Sequence, residues 1–403
     1  MKRTISTLAG AAVAALIAAQ PVLAEETLAI GVSDALTGGA AVYGLPQANA
    51  VKLAASEINA AGGISVGGET YMLEVIAYDD KGNPTEATNA VRKLIDRDGV
   101  KYILGFCCSG ATGAVASFIE YEDAVMLVGN AAERSITTRE IPNLTRTRPP
   151  ADYTGAAAGA FVAAKGHKRV AVLGALDVGF YASYVDAFEK ELNKAGGEIV
   201  TREAFALKDR DMTPQLTKIR GLEADALLVV GYVEPAAFIY RQSVELGLDL
   251  PRYGFTSGSE EQFLRVATSE QMEGVWDLRP TELTLLSATE NGIAYHENYA
   301  AAYGISPSPS SPYAYDQTYA LKDALEAAGT VEDTAAVARA LRELAVPDEV
   351  VMQYLPIDGK MFDRNGQAYT SNGAFQWRDG NWTFVQDLPS DPVAYSEFLS
   401  TLD

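Results

Sequence analysis

The chain has 403 residues and carries 53 acidic against 32 basic side chains, a net charge of −21. That excess repels phosphate backbones, which excludes nucleic acid as a natural partner, and it reads as the solubility device of a secreted protein. At 48% hydrophobic residues the length allows two or more domains with full cores, so the two cysteines need not staple the fold.

Lys2 and Arg3, the apolar run Leu8 to Ala19 and the small-residue site Val22-Leu23-Ala24 form an export leader. The run is shorter than the ~20 residues of a membrane span. No cysteine follows it to carry a lipid, so a free periplasmic protein clipped after Ala24 is expected.

From Thr27 onward, short apolar runs alternate with amphipathic helices. Leu28 to Val32 is followed by a helix whose inward stripe is Ala48, Val51, Ala55, Ile58 and Gly62. Tyr71 to Tyr78, a helix from Pro84 to Asp96, Lys101 to Gly105, a helix from Gly110 to Glu122 and Ala124 to Val128 continue the βαβ order of a parallel sheet.

A second series starts after Pro149-Pro150. It runs through a helix from Tyr153 to Ala164, strand Arg169 to Leu173, a helix from Tyr181 to Ala195 and strand Glu198 to Arg202. Thr213-Pro214 reads as a cap and first turn of a helix to Leu222. Strand Ala226 to Val230, a helix from Pro235 to Leu246 and a strand near Tyr253 complete it. Helices over Tyr295 to Tyr303, Tyr313 to Ala328 and Thr334 to Leu344 follow, then a hairpin turning at Asp379-Gly380-Asn381.

Motifs that carry chemistry are missing. Neither His167 nor His296 stands near a nucleophile in motif context, and both read as surface residues. Phosphate-loop, dinucleotide and zinc patterns do not occur, so neither a cofactor nor a metal is expected. Asp79-Asp80 and Asp96 to Gly99 lack the alternation and closing glutamate of a calcium loop and read as turns.

Several stretches in fixed order carry a resemblance. They include Gly31 to Thr37 with Tyr43-Gly44, Asn59 to Ile64, Tyr78-Asp79-Asp80, Asp211 to Leu216, Tyr315-Asp316 and Gly359 to Gly366. Together they resemble the branched-chain amino acid binding proteins of ABC importers over essentially the whole mature chain. That resemblance implies an α/β type I periplasmic binding fold, two doubly wound parallel-sheet lobes joined by a three-crossover hinge. Residues 25–148 with 279–368 would form the first lobe, and 149–278 with 369–403 the second. It also implies a monomer that is not an enzyme. The protein would capture a small amino acid or carboxylate and deliver it to a membrane permease. A sensor built on the same hinge, or a binder of an aromatic acid or amide, are the alternatives.

In open α/β sheets ligands sit beyond the carboxyl ends of the strands. Three loops of the first half qualify: Thr37 to Tyr43, Cys107 to Gly110 and Gly129 to Ala132. Ser109 at a helix start either caps the helix or holds a carboxylate. The resemblance implies the second role, with backbone groups of Asn130 and Ala131 beside it. It further implies that Tyr43, Tyr181 and Tyr232 close over the ligand and that Cys107 and Cys108 wall the pocket as thiols. The family's bridging cysteine is Gly82 here, so its disulfide cannot form.

Relatives that bind amino acids hold the ammonium with a glutamate and a threonine. The matching stretch around Ser257 and Gly258 carries no acid, and Ala132 stands at the threonine position. Asp177, Glu260 and Asp316 are the candidate substitutes.

Overall fold

A computed structural model describes residues 26–256, 258–280 and 289–399; the expected leader and Ser257 lie outside them. Two sheets organise the chain. The first contains β1 (Glu26–Asp34), β2 (Ile64–Val66), β3 (Glu69–Asp79), β4 (Tyr102–Gly105), β5 (Val125–Val128) and β6 (Leu144–Arg146), in the order β2-β3-β1-β4-β5-β6. Only β2 and β3 pair antiparallel. Both β4 and β5 are buried along their whole length, the pattern of parallel strands covered by helices on both faces.

Helix α1 (Ala41–Ala60) buries the expected Ala48, Val51, Ala55 and Ile58, whereas Gly62 falls past its end. Asn83 caps α2 (Pro84–Arg92) by accepting from the N–H groups of Thr85 and Glu86, with Pro84 in the first turn. Two expected helices are shorter than their apolar periodicity. Helix α2 runs on only as a π turn over Lys93–Arg97, and α3 (Ser109–Ala116) stops before a single 3-10 turn at Ile119–Tyr121. The short α4 (Ser135–Thr138) precedes β6.

The second sheet has the order β13-β12-β11-β10-β9-β7-β8. Its parallel part is β7 (Arg169–Ala175), β8 (Glu198–Phe205), β9 (Ala226–Val230), β10 (Arg252–Phe255) and β11 (Trp276–Pro280). The antiparallel hairpin β12 (Asn372–Arg378) and β13 (Asn381–Leu388) turns through Asp379-Gly380, both at positive φ (51° and 89°), as a tight hairpin requires. Around this sheet stand α5 (Ala151–Ala164), α6 (Tyr181–Lys194), α7 (Thr213–Arg220), α8 (Val233–Glu245), α9 (Glu260–Leu264) and α10 (Ser269–Met272). Thr213 is the first helical residue of α7 and not its cap; its N–H is taken instead by the Asp211 carboxylate at 2.9 Å.

The chain passes between the sheets three times. After β6 it enters α5, which packs on α6 and β11. After β11 it returns to α12 (Glu290–Tyr303), α13 (Ser311–Ala328) and α14 (Thr334–Glu343), and α12 and α13 cover α1. It then passes beside β6, where Arg146 N donates to Gly366 O at 2.7 Å and Ala368 N to Arg146 O at 2.9 Å, and rejoins the second sheet at β12. Helix α15 (Pro392–Leu399) lies at this junction, with Tyr395 donating to Asp152. No helix among the described residues is long and apolar enough to cross a membrane.

Candidate functional site

Strand order reverses at β1 in the first sheet and at β7 in the second, so the loops after their carboxyl ends open a crevice on each. The two crevices face one another. On the first side the Asp34 carboxylate, at the end of β1, accepts from Ala35 N and Cys107 N, both at 3.0 Å. Burial, with Asp80 nearby, pushes it up to about 7. Asp79 holds the next loop through Leu36 N (2.9 Å) and Thr37 N (3.3 Å), and Asp80 holds Ser33 and Gly82 N. The Asp79-Asp80 pair therefore shapes loops, and no metal-binding cluster occurs among the described residues.

Phe106, ahead of the cysteines, is buried at φ 67°, a conformation costly for a bulky side chain. It turns the chain so that Cys107 and Cys108 face the crevice. Both are free thiols with their sulfurs 2.7 Å apart, and burial raises Cys107 well above the ordinary range of a thiol. A side chain at Gly82 would start 2.9 Å from the Cys108 sulfur.

An inner cavity of about 20 Å³ lies between the two halves. Tyr43, Cys107, Asn130 and Arg148 line it from the first side; Phe180, Gly231, Tyr232, Phe255 and Thr256 line it from the second. Tyr43 spans the gap: its hydroxyl accepts from Val233 N at 3.0 Å and donates to Thr256 O at 3.2 Å, with its ring 4.9 Å from that of Tyr232. A larger groove of about 740 Å³ continues outward past Cys108, Ser109 and Tyr232, between Lys81 and Asp177, Glu234 and Arg265.

Of the residues singled out from sequence, Tyr43, Cys107, Asn130 and Tyr232 meet at the inner cavity, while Cys108 and Ser109 face the outer groove. Ser109 does not cap its helix. Its hydroxyl accepts from Ala132 N (3.2 Å) and Glu133 N (3.1 Å), tying α3 to the loop after β5. Ala131 and Ala132 spend their backbone groups inside the protein: Ala131 N donates to Phe106 O, and Ala132 O accepts from Ala151 N. Tyr181 lies outside both spaces, because its ring packs onto β7 where a methyl at Gly174 would meet it at 2.0 Å. Its neighbour Phe180 faces the cavity in its place. Gly258 accepts from Arg279 at 3.2 Å and sits against Val233 and Phe263; Ser257 lies outside the described residues.

The candidate acids are also elsewhere. Asp177 faces the outer groove, Glu260 accepts from Trp382 N at 3.0 Å, and Asp316 is buried in α13 against Val351 N and Met352 N. Neither histidine reads as free surface. His167 is half-buried and bonds the Tyr253 hydroxyl at 2.9 Å, and burial lowers His296. Arg148, Phe180 and Phe255 were missed, although all three stand at strand or helix ends where the crevice rule directs attention.

The pattern of the family described as periplasmic binding protein matches residues 27–381. A Leu/Ile/Val-binding protein of Rhizobium johnstonii is 29% identical over 347 residues, covering 84% of this chain and 89% of that one. The Leu/Ile/Val-binding protein of Escherichia coli is 25% identical over 355 residues, covering 87% and 91%. Among solved structures, a leucine binding protein of Thermotoga maritima superposes with a TM-score of 0.79 at 24% identity, covering 91% of this chain and 99% of that one. A solute-binding protein of R. palustris in complex with benzoate gives 0.76 at 19% identity, covering 91% and 97%. With two facing crevices, a bridging tyrosine and a family match across both sheets, the chain belongs to the periplasmic binding protein family.

Proposed function

We propose that this protein is the solute-binding subunit of an ABC importer, capturing a small amino acid or carboxylate between its lobes and handing it to a membrane permease. The leader is removed after Ala24, the mature chain works as a monomer in the periplasm, and it catalyses no reaction. Residues 25–148 with 279–368 move as one lobe against 149–278 with 369–403. The observation that carries this reading is the inner cavity, walled by side chains from both halves and bridged by Tyr43. A site completed only when two halves meet couples binding to closure, because the ligand gains contacts only in the closed state. Against catalysis, burial keeps the Cys107 thiol protonated, and His167 is engaged with Tyr253.

The test is a thermal-shift panel of amino acids and small carboxylates, followed by small-angle scattering with each hit. A ligand that binds only the native state raises the melting temperature by mass action. The expected result is compaction with every hit; tight binding without compaction refutes capture by closure. Full-length protein retained in the cytosol would refute the export step.

A further inference from the structure

The crossings between the two halves bury two carboxylates. Asp152, in the first turn of α5 just past the first crossing, is 2% exposed; Asp363, beside β6 on the third, is 6% exposed. A buried charge is costly unless it is paired and hydrogen-bonded. Arg134 supplies one partner for Asp152 at 3.2 Å, on Oδ2. Asp363 takes three partners from its own stretch of chain: Asn365 N at 2.8 Å and Gln367 N at 3.0 Å on one oxygen, and the Tyr369 hydroxyl at 2.8 Å on the other.

A further partner for each comes from a single helix. Tyr395 of α15 donates to Oδ1 of Asp152, and its neighbour Ser396 donates to Asp363 at 2.8 Å. Successive residues of a helix point roughly 100° apart, so two neighbours can fasten it on two sides at once. The Tyr395 ring strengthens both attachments. It meets Tyr153 of α5 edge-on at 5.3 Å and Tyr369 edge-on at 6.0 Å, and those two rings meet each other at 5.4 Å. No described residue of α15 lines the inner cavity or the outer groove.

Rotation of one lobe against the other has to be absorbed by backbone torsions in the crossing segments. Two of those segments are already held by backbone bonds: Ala151 N to Ala132 O at 2.8 Å at the first, and Ala368 N to Arg146 O at 2.9 Å at the third. A helix fastened to both turns a free pivot into a restrained one. Parting Asp152 from Asp363 then breaks a hydrogen bond to a buried carboxylate, which is the stronger kind.

We infer that α15 is a clasp across the hinge, with Tyr395 and Ser396 as positioning residues that limit how far the lobes part. The clasp thereby sets the fraction of protein poised to close, and apparent affinity scales with that fraction. This rests on the solute-capture reading, in which Asp363 belongs to the first lobe and α15 to the second, and it adds a control to that reading. The experiment compares the unliganded protein with Tyr395→Phe, Ser396→Ala, the double variant and Ser396→Thr, by hydrogen exchange with mass spectrometry and by small-angle scattering. In the double variant the amides of Ala151 and Ala368 are expected to exchange at least about 10-fold faster, the loss set by a hydrogen bond to a charged group, and the radius of gyration to increase. Ser396→Ala should move both readouts in the same direction, and Ser396→Thr, which keeps the hydroxyl, should restore them. Should the double variant fail to fold, the Ser396→Ala and Ser396→Thr pair decides. An unchanged radius overturns the inference, whether faster exchange stays within residues 392–399 or reaches the crossings, and so does unchanged exchange at both amides. Compaction of the unaltered protein by solutes leaves capture standing whatever the variants do, whereas binding without compaction strikes at capture itself.

Discussion

Tyr43→Phe isolates the bridge across the cleft. The side chain is buried and its ring contact with Tyr232 survives, so the change removes one hydroxyl and the two hydrogen bonds it makes to Val233 N and Thr256 O. Each bond contributes about 0.5–1.5 kcal/mol net, and a Val233 N–H left dry would add about 1–3 kcal/mol. In the open state both groups face water and lose nothing. The closed state should therefore lose about 1–3 kcal/mol relative to the open one from the two bonds alone, and up to about 6 kcal/mol with that N–H left dry, so that at about 1.4 kcal/mol per decade even the lower bound weakens affinity roughly 5-fold. Calorimetry with the best ligand measures the loss, and scattering on the same samples measures the closed fraction. Unchanged affinity together with unchanged compaction would refute the claim that the hydroxyl holds the lobes shut.

Gly159→Ala in α5 should destabilise, since its methyl would sit 2.3 Å from Phe188 O of α6; overpacking of about 1–3 kcal/mol outweighs the gain of about 1 kcal/mol in helix propensity. Gly113→Ala in α3 meets nothing within 4 Å and should raise the melting temperature instead, so an equal effect at the two sites would contradict the packing argument. Asp34 is pushed up to about 7, above its unfolded value near 4, so the folded state holds the extra proton between those limits and stability falls as pH rises through them. Asp34→Asn, with its amide oxygen keeping the Ala35 and Cys107 N–H bonds, should flatten that fall by at most about 4 kcal/mol, Asp316 retaining its own share; melting temperatures at pH 5 and pH 8 that differ as much as in the unaltered protein would refute it. Cys107 and Cys108 should resist alkylation in the native protein and both take label once it is unfolded without reductant, as intact mass would record; a disulfide found instead would contradict the free thiols.

Much of the fold was legible because it is written in local periodicity. The alternation of buried strands such as Leu127-Val128 with amphipathic helices such as α1, the Asn83-Pro84 helix start and the Asp379-Gly380 turn each follow from backbone preferences within a few residues. Helix ends were less legible. The π turn after Arg92 and the early stop of α3 depend on packing against neighbouring elements, which apolar spacing does not encode.

At the site, the sequence by itself located the loops, because a parallel strand's carboxyl end must open onto a crevice; the family resemblance then implied Tyr43, Cys107, Asn130 and Tyr232, which line the cavity. Only the tertiary structure decided what those loops do. The Ser109 hydroxyl turns to two backbone N–H groups that lie more than twenty residues away, and Phe180 takes the place expected of Tyr181 because the Tyr181 ring is drawn onto β7. Arg146 and Arg148 stand two residues apart and look alike in sequence; one is held by Gln367, while the other faces the cavity with its guanidinium 5.3 Å over the Phe255 ring and its Nε without a hydrogen-bond partner. A charge is spent or left free according to which distant groups reach it. Those groups come from segments more than two hundred residues apart, brought together where the chain crosses between its lobes.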